Sequence, residues 1–247
     1  MKHRKLDSKE VESLVDQMIE QAVFYVPKSD MTLPSDDRLV ARSFEVTYEP
    51  IEGQWPPEVE RLLPDLRRRV TRPDERLLAE LEQLIGQFPT AGILKNLLVS
   101  AYGVLGRIEQ AEAWSARAFA EHPDYLFARL NYVGLKLARG NFEEASKALS
   151  TGGDLIALCG GRDRFHVSEV VAYFGLLGEY RLRVGQRRAA TVCYRILCDV
   201  DADDARTRRL RSLLAQDFLD HHMPRFKGES AVQKAALSAE ATIQEVL

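Results

Sequence analysis

The chain has 247 residues, 45% of them hydrophobic and 29% charged, with a net charge of −3. That is enough apolar side chain to bury a core in one elongated or two separate domains, and too much for wholesale disorder. No apolar run approaches the roughly 18 residues of a membrane span, and no signal-type apolar stretch follows the charged segment Met1 to Lys9, so the expected location is cytoplasmic.

The first segment, residues 1–56, reads as a helix followed by an extended arm. Asp7 and Glu10 make a capping box, and Val11, Leu14, Val15, Met18, Ile19 and Ala22 mark one apolar stripe of a helix running to about Tyr25. Prolines at 27, 34, 50, 56 and 57 forbid a long helix beyond it. Within that arm Phe44, Val46 and Tyr48 alternate with Glu45, Thr47 and Glu49, the pattern of one short strand. The arm also carries Leu33, Leu39, Ile51 and Trp55, more large apolar side chains than a solvated linker holds, so it is expected to lie against the helices that follow.

From residue 57 to 222 helical signals dominate. Pro57 to Val70 reads as a short helix interrupted near Pro64, and Pro73 to Phe88 as a helix with Leu77, Leu78, Leu81, Leu84 and Ile85 inward. Beyond Pro89, Gly106, Gly140 and Gly185 each stand five residues before an alanine, Ala111, Ala145 and Ala190. Glycine suits a short connection between two helices because it leaves a helix in the left-handed conformation without a Cβ penalty, and alanine suits a close helix crossing. Gly106 and Gly140 are 34 residues apart, whereas Gly140 and Gly185 are 45 apart, which places an insertion at 160–170. Ala205 to His222 is expected to be a polar capping helix, and Ser230 with Gln233 starts a final helix in 223–247.

These residues carry a resemblance to the tetratricopeptide repeat family. Leu98, Tyr102, Gly106, Ala111, Ala118 and Pro123 fall at the family's positions in a unit at 92–125, with Lys95 in place of the usual early Trp. A unit at 126–159 keeps Gly140, Phe142 and Ala145, and one at 171–204 keeps Phe174, Leu177, Gly178, Gly185, Ala190 and Tyr194. A degenerate half unit at 73–91 makes about three and a half repeats. The resemblance covers about half of the chain and implies an all-α fold, an antiparallel helix-hairpin superhelical stack with the irregular helix-plus-extended arm before it. It further implies a concave groove lined by the first helix of each unit, here by Ile93, Asn96, Ser100, Phe127, Leu130, Asn131, Leu137, Glu179 and Arg183. The family's carboxylate clamp is not kept: only Asn131 matches it, with Asn96, Ser100, Ala172 and Leu176 at its other positions. A second similarity, to small repeat chaperones of bacterial secretion systems, rests on the repeat number and the helical N-terminal extension.

What the resemblance implies is a non-enzymatic adaptor, scaffold or chaperone whose groove holds either a segment of a partner protein or, in cis, the arm from Pro27 to Trp55, which then regulates access. The alternative is a nucleic-acid-associated regulator. Arginines cluster late in the stack, and Arg206, Arg208, Arg209 and Arg211 form a candidate patch for an anionic partner, while Asp199, Asp201, Asp203 and Asp204 interleave with them as on a solvated helix face. No cofactor, metal or membrane partner is implied. Cys159, Cys193 and Cys198 read as buried free thiols, and His3, His122, His166, His221 and His222 as surface residues without metal-ligand spacing. Gly160 to Arg164 read as an edge loop with the composition to touch an anion, outside the strand-and-helix context of a phosphate cradle.

Overall fold

The computed structural model describes residues 43–51, 53–149 and 153–222, together with Glu20 and Val23. Of the expected N-terminal helix only Glu20 and Val23 fall in this set, and both are helical. The rest of that helix, the arm at 27–42 and the helix expected from Ser230 lie outside the described residues. The chain divides into two compact units, one made by 26–210 and the other by the residues on either side of it. The elements up to Leu210 belong to the first unit.

Among the described residues the helices are α1 (Pro57–Val70), α2 (Glu75–Gln87), α3 (Gly92–Val104), α4 (Ile108–Glu121), α5 (Leu126–Ala138), α6 (Phe142–Ala148), α7 (Leu155–Leu158), α8 (Val167–Arg183), α9 (Arg187–Asp201) and α10 (Ala205–His222). Two strands, β1 (Glu45–Thr47) and β2 (Arg164–His166), pair in parallel with Val46 opposite Phe165. The protein is thus mostly helical but not all-α. The strand expected at 44–48 is present, and its partner is a second strand, inside the insertion where an edge loop is expected from the sequence.

Consecutive helices pack on one another: α2 on α3, α3 on α4, α4 on α5, α5 on α6 and α8 on α9. The helices α1, α3, α5 and α8 also touch in series, forming one row. Three turns between paired helices are chemically identical. Gly106, Gly140 and Gly185 have φ of 69°, 71° and 81°. The N–H after each glycine, from Arg107, Asn141 and Gln186, donates back to the carbonyl of Tyr102, Lys136 and Arg181 at 2.9, 2.9 and 2.8 Å. Each glycine's own N–H donates to Gly103, Leu137 or Leu182 at 3.0 Å. This pair of bonds satisfies the last carbonyls of the helix and requires the left-handed glycine. Ala111, Ala145 and Ala190 are buried where the paired helices meet, as expected from their size.

Local chemistry also sets several helix starts. Asp74 accepts from Leu77 N at 2.8 Å and Asn141 from Glu144 N at 3.2 Å, each satisfying an orphan donor of the first turn. Contrary to expectation, α1 runs unbroken through Pro64. Proline deletes one backbone bond, yet Val59, Leu63, Leu66 and Val70 share one buried face, and that burial outweighs the deleted bond. Their core is continuous with Leu77, Leu81, Leu94 and Leu98. Just before the expected insertion stands α7, capped by Asp154 accepting from Ala157 N at 3.1 Å, and the insertion itself holds β2, so α8 begins at Val167 rather than near Val171.

Candidate functional site

The described end of the arm is tied down through four residues. Phe44 meets Phe165 of β2 edge-on at 5.7 Å and stacks on Phe174 of α8 at 6.2 Å. Glu45 pairs with Arg164 at 3.2 Å, and the Tyr48 hydroxyl donates to the Val200 carbonyl at 3.0 Å. At its far end Trp55 stands edge-on to Tyr125 at 5.1 Å, and its backbone N–H donates to Glu60 at 3.3 Å. Aromatic pairs of this geometry contribute about 0.5–1.5 kcal/mol each beyond the area they bury.

Anchored in this way, the arm closes one side of a half-open cavity of about 560 Å³. Pro50, Ile51, Gln54 and Trp55 line it from the arm; Glu60, Leu63, Pro64 and Arg67 from α1; Ile93, Asn96 and Leu97 from α3. Tyr125 and Phe127 line it at the start of α5, and His166, Ser168 and Glu169 at the junction of β2 with α8. Its lining combines apolar and aromatic side chains with a smaller set of polar ones, the usual character of a ligand site.

Three of the groove residues expected from sequence, Ile93, Asn96 and Phe127, meet in this cavity. The others lie elsewhere. Asn131 donates to the Asn96 side chain at 2.5 Å, Ser100 turns back to the Asn96 carbonyl at 3.0 Å, and Leu130 is only 6% exposed. Leu137 is buried, and its carbonyl accepts from Arg183 at 2.8 Å. Glu179 binds both Arg183 and Arg209, at 2.5 and 3.1 Å. That carboxylate therefore neutralises one member of the arginine patch. Arg206 and Arg208 are exposed on α10, and Arg211 is half-buried at the start of the second unit.

The insertion loop's cations are engaged as well. Arg162 donates through two nitrogens to Glu169, at 2.7 and 3.2 Å, and lies over the Phe165 ring at 4.4 Å. Glu169 also accepts the His166 N–H at 3.0 Å, while the Ser168 N–H donates to His166 Nδ1 at 3.2 Å. The anion contact expected of this loop is thus met internally, by Glu169 and, for Arg164, by Glu45.

Sequence reasoning missed a buried polar cluster beside the cavity. Lys95, on α3, is 1% exposed. Its ammonium reaches the Pro89 carbonyl at 2.8 Å, Glu121 at 2.8 Å and His122 Nε2 at 2.6 Å. Hydrogen bonds from Lys95 and Arg117 hold the Glu121 carboxyl down at about 2. Burial, followed by the Lys95 charge, lowers the pKa of His122 below the ordinary histidine value. His122 is accordingly a half-buried acceptor and not the surface residue expected. Desolvation pushes the buried Cys193 thiol up to about 12 and raises that of half-buried Cys159. All three cysteines are free.

No described helix is long and apolar enough to cross a membrane. No protein-family model, curated protein or solved structure matches this chain.

Proposed function

We propose that this chain is a protein-interaction module of tetratricopeptide-like helix hairpins that captures an extended or helical segment of a partner polypeptide in the arm-bounded cavity. One observation carries the reading: Ile93, Asn96 and Phe127, from the first helices of successive pairs, share a single half-open cavity with Pro50, Ile51 and Trp55 of the arm. The three matching glycine turns support the repeat reading, and a groove built on one row of helices suits peptide anchors of large apolar side chains. The arm acts as a wall of the groove, so its anchorage regulates access. The nucleic-acid reading is weaker, because Glu179 takes up Arg183 and Arg209.

Panning a random peptide library displayed on phage against the immobilised full chain tests this. Selected peptides should bind the wild type and lose at least about tenfold in affinity on Phe127→Arg, whose half-exposed position leaves the fold intact by circular dichroism. Failure to select peptides, or binding indifferent to Phe127→Arg, would sink the proposal.

A further inference from the structure

The polar groups of the cavity are unequally satisfied. Both Glu169 oxygens are occupied, one by Arg162 and the other by Arg162 and the His166 N–H. Glu60 accepts the Trp55 backbone N–H. The donors fare differently. The Arg67 guanidinium has no hydrogen bond or ion pair among the described residues, although its charge acts on the Tyr125 hydroxyl. That hydroxyl likewise makes no hydrogen bond among the described residues. Because His166 Nδ1 accepts from Ser168, the neutral imidazole carries its proton on Nε2, a third donor without an acceptor among the described residues. Three donors that line one mostly apolar cavity and are left to solvent by the described residues suit an acceptor-rich, anionic complement.

Resting on the peptide-binding reading above, we infer that the partner segment places a large apolar side chain directly beside an aspartate or glutamate, with the carboxylate meeting Arg67, Tyr125 and His166. The apolar side chain packs among Trp55, Ile93 and Phe127. Glu60 sets the direction. It lies two helical turns from Arg67 on α1, about 10 Å along the axis, so the carboxylate is drawn to the Arg67 end and repelled from the Trp55 end.

The test pans the displayed random library on the wild-type chain and on Arg67→Glu in parallel. Wild type should enrich Trp, Phe or Leu flanked by Asp or Glu, and Arg67→Glu should lose that preference or turn it to Lys and Arg. A synthesised winner should weaken by about tenfold on changing its acid to the amide, and by a similar factor on Arg67→Gln. On Arg67→Gln the acid-to-amide change should then cost little more, since the two act on one contact. Selected peptides that depend on Phe127 but show no acidic preference would overturn this inference and leave the peptide-binding reading standing. An absence of selected peptides would remove both. Arg67 is exposed on α1, and circular dichroism of its variants confirms that a lost preference is not a lost fold.

Discussion

Trp55 and Tyr125 meet edge-on with their rings 5.1 Å apart and 85° from coplanar, joining the end of the arm to the start of α5. The contact depends on a third residue. A Cβ at Gly92 would stand 3.0 Å from Tyr125 Cδ1 and 3.2 Å from His122 Cγ, so the absence of a side chain there lets both rings settle over the start of α3.

Trp55→Ala should lower stability by about 2 kcal/mol, combining the ring pair with the partial burial of the indole. Trp55→Phe should retain most of this. Urea denaturation followed by circular dichroism measures both, and equal midpoints for Ala and Trp would mean that the ring pair does not hold in solution.

Lys95→Met keeps the apolar stem and removes the ammonium, leaving the Pro89 carbonyl and His122 without their partner. A loss of about 1–3 kcal/mol is expected, the cost of orphaning buried acceptors. Glu121 adds little, since its side chain is 40% exposed and water can serve it. The His122 pKa should rise in Lys95→Met, as followed by histidine ring NMR, yet remain below the ordinary value because burial is the larger cause. A fall, or no change, would refute the role given to Lys95.

Stability should depend on pH through His122 with a definite sign. Its folded pKa lies below the unfolded value of about 6.5, so the unfolded chain binds the proton more readily. The contribution is complete above the unfolded pKa and is lost as pH falls below it. Glu121 acts in a separate window, losing its contribution as pH falls from about 4.5 toward about 2. Urea midpoints at pH 7.5 and 5.5 should therefore differ in the wild type and differ less in His122→Gln; identical slopes in the two proteins would exclude the mechanism.

Two helical glycines should respond oppositely to alanine. At Gly178 a Cβ would lie 2.4 Å from Leu210 Cδ2 and 3.2 Å from Cys193 Cβ. The leucine tip can turn aside but the cysteine Cβ cannot, so Gly178→Ala should cost about 1–2 kcal/mol after its gain in helix propensity. At Gly134 the nearest atom is Leu176 Cδ1 at 3.9 Å, and Gly134→Ala should stabilise by about 0.5–1 kcal/mol. Thermal melts of the two variants shifting in the same direction would contradict this packing.

Much of the helical framework was legible because its causes are local. Gly106, Gly140 and Gly185 could be read as turns from conformational freedom alone, and Ala111, Ala145 and Ala190 as close crossings from size alone. The strand at Glu45–Thr47 was legible from alternation. Pro64 misled, since a proline's local penalty reads as a break while the burial that overrides it lies on helices elsewhere. Leu130 misled differently: register names a face, but whether that face is open depends on what packs over it.

The sequence by itself determined the places where the chain turns and where paired helices approach, since φ preference, side-chain volume and hydrogen bonds within a few residues settle those. Tertiary structure alone decided that β1 finds β2, that Phe44 and Tyr48 fasten the arm, that Lys95 is buried among His122, Glu121 and the Pro89 carbonyl, and that Arg67, Tyr125 and His166 share one cavity. Each of those joins residues far apart in the chain, where pairing is chosen by what burial and charge complementarity the whole fold makes available.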